Sequence, residues 1–145
     1  LNRGRTSIMS GILIVEDEHL AATRLQRMLK KIDPDIHILT ILDTVKDAVA
    51  WLQENEADLI FLDIHLADGN SFGIFDQVEV KTPIIFSTAY DQYAIKAFEV
   101  SAVDYLLKPI EIERLKESVS PRWMKYPLWM KFRGIINPHQ QKLIA

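Results

Sequence analysis

The chain of 145 residues contains no cysteine, which excludes a disulfide framework and a thiolate zinc site. It has no apolar run approaching the ~20 residues that a bilayer-crossing helix requires. Its first eleven residues hold no apolar block of signal-peptide length. These absences make a reducing, cytoplasmic setting the expectation, with no membrane partner. Among the histidines, no pair stands at a metal-ligand spacing; His19 and His37 are expected at the surface and His139 in the tail. Acids are missing from one region only. Residues 1–120 hold 12 basic and all 20 acidic side chains, a net −8, whereas 121–145 hold five basic residues and no acid. An acidic body disfavours direct contact with nucleic acid.

What is present is material for a core: 48% of the residues are hydrophobic, enough at this length for one domain. Asp58-Leu-Ile-Phe-Leu-Asp63 is apolar throughout its interior and ends in a carboxylate. Ile12-Leu-Ile-Val is followed by Glu16 and Asp17. Pro83-Ile-Ile-Phe ends in the hydroxyls of Ser87 and Thr88, and Val103-Asp-Tyr-Leu-Leu ends in Lys108. Short runs of this kind mark strands of a parallel sheet covered on both faces. Their carboxyl ends form the edge where open α/β sheets build their sites.

Between the runs the period changes to that of helices. Ala21, Leu25, Met28, Leu29 and Ile32 share one helical face, and Asp33-Pro34-Asp35 ends it because proline disfavours helical geometry in its predecessor. A strand over 36–42 follows, then a helix marked by Val45, Ala48, Val49 and Leu52. Residues 65–70 have loop composition. A short helix is expected at about 71–80, although Gly73 within it costs about 1 kcal/mol relative to alanine. A helix over 92–98, a strand over 103–107 and a last helix over about 111–119, with Ile112, Leu115 and Val119 inward, complete the pattern. Phe61, Phe72, Phe75, Phe86 and Phe98 are expected in the core. Strands alternating with helices five times imply a doubly wound parallel α/β sheet.

If the first and third strands are neighbours, Glu16, Asp17 and Asp63 converge. Two unit charges ~4 Å apart repel by about 4 kcal/mol at an effective dielectric of about 20, and a hard cation relieves that repulsion. Carboxylate, carbonyl and water ligands suit Mg²⁺. Lys108 and the Thr88 hydroxyl can then hold phosphoryl oxygens, and a carboxylate can act as the phosphoryl acceptor. Glu18, by contrast, suits an acidic helix start.

The set Glu16-Asp17, Asp63, Ser87-Thr88-Ala89 and Tyr105-Leu-Leu-Lys108-Pro109 resembles the receiver domain of two-component response regulators. The segments Phe86-Ser-Thr-Ala-Tyr-Asp-Gln-Tyr-Ala94 and Ala97-Phe-Glu-Val-Ser-Ala-Val-Asp-Tyr-Leu-Leu-Lys-Pro109 resemble the subgroup that precedes LytTR-type DNA-binding domains. The likeness covers roughly residues 11–119. It implies a flavodoxin-like (βα)5 fold with strand order 2-1-3-4-5. It implies Asp63 as the residue phosphorylated by a sensor histidine kinase and Mg²⁺ as cofactor. Asp17 matches the direct metal ligand, Glu16 the acid that binds through water, and His65 a backbone-carbonyl ligand. Thr88 and Ala89 match the phosphoryl-binding positions, with Thr88 the hydroxyl that shifts onto the phosphoryl group. Tyr105 matches the aromatic that changes rotamer with it. Lys108 matches the salt-bridging lysine, with a cis bond expected before Pro109. The 91–119 face is the expected homodimer surface. DNA is expected to be met only through an output domain not present in this chain, in the service of transcription regulation. Such a protein is a signalling receiver that catalyses only its own phosphorylation and dephosphorylation. Two positions depart from the family pattern: Ala67 stands where many receivers have proline, leaving the loop less constrained, and Gly73 weakens the helix behind it.

Three other readings compete. A receiver-like interaction module would dock without phosphorylation. Gly69-Asn-Ser71-Phe-Gly73 has the G-x-S-x-G spacing of serine hydrolases, with Asp91 or Asp104 and His139 following in order, but several loop residues separate Ser71 from the preceding strand. A phosphohydrolase with an aspartyl nucleophile needs a second acid two residues on, where this chain has His65. At the ends, 1–10 reads as a leader in which Met9 is a candidate start, the residues before it being added. The segment 121–145 reads as a basic aromatic tail, a linker or non-native.

Overall fold

A computed structural model describes residues 11–100 and 102–121; the leader 1–10, and the tail from 122 onward with His139, lie outside the described residues. Five parallel strands, β1 (Gly11–Val15), β2 (His37–Leu42), β3 (Leu59–Leu62), β4 (Ile84–Thr88) and β5 (Asp104–Leu107), are ordered β2-β1-β3-β4-β5. Helices α1 (His19–Ile32), α2 (Val45–Glu54), α3 (Ala94–Glu99) and α4 (Ile112–Ser118) connect or follow them. This is the flavodoxin-like order expected from the sequence. The chain leaves β1 towards β2 on one side and returns to β3 on the other, so the crevice beyond β1 and β3 is the switch point of the fold.

Alternation along each strand explains the apolar runs. Ile12, Ile14, Leu59, Phe61, Ile85 and Leu106 pack on one face with Leu25 and Leu29 of α1 and Leu115 of α4. Leu13, Val15, Ile60, Leu62, Phe86 and Tyr105 pack on the other with Ala48 and Val49 of α2, Phe72, and Ala94 and Ala97 of α3. Both faces are covered, so no polar residue interrupts β3, and each large apolar side chain fully buried contributes about 1.5–3 kcal/mol. The edge strand β2 alternates between exposed and half-buried residues instead.

Two segments differ from expectation. In place of a helix over 71–80 there is one 3₁₀ turn, Ser71–Ile74, continued by bonds from Phe75 N–H to Phe72 O and from Gln77 and Val78 N–H to Ile74 O. Gly73 lowers the helical tendency at its centre, and the burial of Phe72 and Ile74 is achieved within that single turn. The loop around Ala67, expected to be loosely held, is strapped down by other means. His65–Leu66 and Gly69–Asn70 form a small antiparallel ribbon, closed at Gly69 with φ +145°, where a side chain would be strained. Ala67 N–H donates to Asp43 O at 3.2 Å. The Asp68 carboxylate accepts from the Val45 and Lys46 amides at 2.6 and 3.1 Å, and the Thr44 hydroxyl accepts from Asp47 N–H at 3.0 Å. Three of the free amides at the start of α2 are thereby satisfied, two of them by the loop.

Candidate functional site

Strand register assembles the site. Val15 pairs with Leu62, Leu62 with Phe86, and Thr88 with Leu107. The residues one step beyond therefore emerge side by side at the carboxyl edge. Asp63 N–H bonds to Val15 O at 3.0 Å and Lys108 N–H to Thr88 O at 2.8 Å, which carries the pairing past the strand ends. Glu16, Asp17 and Asp63 each present a carboxylate oxygen within 4.8 Å of the others. Glu16 and Asp63 are buried and Asp17 is exposed. Across this cluster the Lys108 ammonium lies 2.6 Å from Glu16 Oε1 and 2.9 Å from Asp63 Oδ2, with Glu18 at 3.8 Å. Asp63 Oδ1 accepts from Ile64 N–H at 2.7 Å. The Lys108–Pro109 peptide is cis.

The other candidates lie around this centre. Thr88 is fully buried, and its hydroxyl has no hydrogen-bond partner among the described residues. Ala89 follows it at the exposed rim. Tyr105 is fully buried, with its hydroxyl donating to the Tyr90 carbonyl. Burial holds that phenol above its ordinary range; the charges of Asp91 and Asp63 push the same way, while a bond from the Tyr93 backbone opposes them. His65 heads the ribbon, and its imidazole is not among the clustered ligand atoms. Ser71 is fully buried, without a hydrogen-bond partner among the described residues, and it follows a ribbon and not a strand-to-helix elbow. A fully buried hydroxyl does not present the exposed nucleophile that the serine-hydrolase elbow requires.

Burial raises the Glu16 carboxyl from 4.5 to about 7. The Asp63 charge adds to this, and the hydrogen bonds from Lys108 and the Glu18 amide oppose it without cancelling it. For Lys108, burial works against the charged amine, but its bonds to Glu16 and Asp63 outweigh that and hold the ammonium above the ordinary lysine value. The sign of the Glu16 effect on stability follows. The native state keeps a proton that the unfolded chain releases from pH 4.5 upward, so the contribution is full below 4.5 and is lost as pH rises to about 7. In metal-free protein, Glu16→Gln will flatten the fall in the urea midpoint across this window; a slope identical to that of the unaltered chain would refute the assignment.

Two features escaped the sequence reading. Asp104, fully buried in β5, is held by both terminal nitrogens of Arg114 at 2.9 Å. A signal for this existed, since a carboxylate inside a buried run needs a partner. Tyr90 and Tyr93, whose rings pack on His65, carried no such signal.

Residues 12–120 match the model of the response regulator receiver domain. The sensory transduction protein LytT of Bacillus anthracis is 43% identical over 114 residues, 77% of this chain and 46% of that protein. The transcriptional regulatory protein LytR of Staphylococcus aureus strain N315 is 39% identical over 111 residues, 74% of this chain and 45% of that protein. The chain thus spans about half the length of these relatives. Among solved structures, the response regulatory domain of mrkE from Klebsiella pneumoniae superposes with a TM-score of 0.70 at 31% identity, covering 80% of this chain and 99% of that one. Fold, strand-end chemistry and relatives agree: the chain belongs to the response regulator receiver domain family.

Proposed function

We propose that this domain accepts a phosphoryl group on Asp63 from a sensor histidine kinase, in a Mg²⁺-dependent step, and passes the event to an output through residues 91–119. One observation carries the reading: Lys108 grips Asp63 and Glu16 together at the point where three carboxylates converge. The donor set suits a hard, oxygen-seeking cation. Glu16, Asp17, Asp63 and the His65 main-chain carbonyl would hold it, and the ion supplies neutralisation of the charge on a phosphoryl group entering an acidic pocket.

The residues themselves divide the remaining work. A carboxylate oxygen of Asp63 forms the new O–P bond while the donor's P–N bond breaks, its electron pair leaving with the imidazole nitrogen. Lys108, beside Oδ2, balances charge on the phosphoryl oxygens. The Ile64 amide on Oδ1 fixes the plane of the carboxylate. The unpartnered Thr88 hydroxyl is the donor available to meet the bound group. Its movement opens space beside Tyr105, and phosphorylation shifts a pre-existing equilibrium between two arrangements. Beside the pocket, α1 and Pro109 border a groove of about 250 Å³ lined by Ala21, Met28 and Ile110. Leu20, 81% exposed, stands at its rim, an apolar surface suited to a partner helix. The likeness to the transcriptional regulatory protein LytR supports transcription control by the whole protein; a DNA-binding output, a cytoplasmic setting and pairing of two activated copies through the 91–119 face complete the proposal.

Incubation with acetyl phosphate tests the reading. Mg²⁺-dependent incorporation of one phosphoryl group per chain, labile to hydroxylamine as an acyl phosphate is, and lost when a chelator is present, is expected. Absence of both incorporation and any Mg²⁺-induced change in tyrosine fluorescence would favour an interaction module that works without phosphorylation.

A further inference from the structure

The stretch that follows Asp63 is held at both of its ends. At the base, Asp63 N–H donates to Val15 O at 3.0 Å. From there the chain runs out and back as the ribbon in which His65 pairs with Asn70 and Leu66 with Gly69. In such an antiparallel pair, residues that exchange hydrogen bonds alternate with residues that do not. Ser71 N–H donates to Ile64 O at 2.8 Å, so the adjoining His65–Asn70 pair exchanges no bonds of its own. The His65 carbonyl is therefore turned away from the opposing strand and left for a ligand. Where that oxygen stands depends on how the ribbon lies.

At the far end no proline stiffens the chain between Asp63 and Gly69, and hydrogen bonds take that part. Ala67 N–H donates to Asp43 O at 3.2 Å, a bond that proline could not make. Asp68 commits both carboxylate oxygens to α2: Oδ1 accepts from Val45 N–H at 2.6 Å and Oδ2 from Lys46 N–H at 3.1 Å. A negative group suits this place, because amides at the start of a helix carry partial positive charge. The Val45 bond lowers the Asp68 carboxyl below its ordinary value and the Lys46 bond adds to the effect, which keeps the group charged at neutral pH. Asp68 is exposed and is not one of the three converging acids. Its influence on the pocket runs through the main chain.

We propose that Asp68 is a positioning residue for the metal pocket: by gripping two amides of α2, its carboxylate holds the ribbon where the His65 main-chain carbonyl joins Glu16, Asp17 and Asp63 around Mg²⁺. This rests on the reading of those residues as a Mg²⁺ site. Loss of the grip leaves the three carboxylates in place and frees only the fourth ligand, so metal binding weakens without being abolished. Outer partners of metal ligands change affinity by about 10–100-fold, and the lower end applies to a group that acts along the main chain.

The test is Mg²⁺ titration of the ¹⁵N-labelled chain, followed at the Ile64 and His65 amide signals. In Asp68→Ala the dissociation constant rises roughly tenfold, and in metal-free protein the Val45 and Lys46 amide protons move upfield as their acceptor is lost. Asp68→Asn, which keeps one oxygen for one amide, gives an intermediate constant and decides the matter if alanine lowers expression. Thr44→Ala removes the third cap of the same helix, the bond from Asp47 N–H, while leaving the ribbon attached, and it binds Mg²⁺ as the unaltered chain does. Unchanged affinity in folded Asp68→Ala overturns the positioning role. So does Thr44→Ala weakened as far as Asp68→Ala, since the effect would then belong to α2 as a whole. An unaltered chain whose signals do not respond to Mg²⁺ overturns instead the metal-site reading on which the role rests.

Discussion

Asp63→Asn will take up no phosphoryl group from acetyl phosphate, with incorporation falling to background. The amide matches the carboxylate in shape and its one oxygen keeps the bond from the Ile64 amide, while the bond that Lys108 makes to the second carboxylate oxygen is given up and Lys108 keeps Glu16 as its partner. The fold is therefore expected to persist. What disappears is the nucleophile, since an amide oxygen does not form a stable acyl phosphate, together with one of the three clustered negative charges. Removing that charge also relieves the electrostatic push on the Glu16 carboxyl, which Asp63 helps to raise. The variant should consequently be no less stable in urea than the unaltered chain. Intact-mass analysis after acetyl phosphate treatment, with circular dichroism as the folding check, decides the matter. Undiminished labelling of a folded variant would place the acceptor elsewhere.

Arg114→Ala will cost about 3 kcal/mol of stability. Its partner Asp104 has no solvent exposure, and the guanidinium supplies two parallel bonds, the strong geometry for a carboxylate. Breaking a buried pair from one side costs about 3–5 kcal/mol. The low end applies because Arg114 is itself 32% exposed and because Asp104 Oδ1 still accepts from the Tyr105 amide. Urea denaturation supplies the measurement, and a loss below about 1 kcal/mol would show that the pair contributes as little as a surface ion pair does. In Asp104→Asn/Arg114→Ala, where no buried charge is left behind, part of the loss should return.

The two variants also mark how far the sequence could be read. Asp63 was legible because strands covered on both faces exclude charge until they end, so a carboxylate at the last position stands out. The same logic gave Glu16, Asp17 and Lys108, and strand alternation with helices gave the order that makes them neighbours. Asp104 broke that logic from within: its run Val103-Asp-Tyr-Leu-Leu reads as a strand only if the charge is ignored, and the partner that makes it tolerable comes from α4. Residues 71–80 failed for a different reason. Their apolar spacing permits a helix, but local propensity at Gly73 and the need to bury Phe72 and Ile74 were met by one tight turn. The packing of His65 against Tyr90 and Tyr93 depends on how two loops lean on one another, which no periodicity within either loop records.

The ribbon after Asp63 has one further consequence. Its Asp68 carboxylate closes the first amides of a helix that begins 23 residues earlier in the chain. Any force that lifts the tip of the ribbon away from the body also frays the opening turn of α2. A displacement beginning next to the acidic pocket is in this way delivered, by two bonds from main-chain amides to one side-chain carboxylate, to the opening turn of a helix on the molecule's flank.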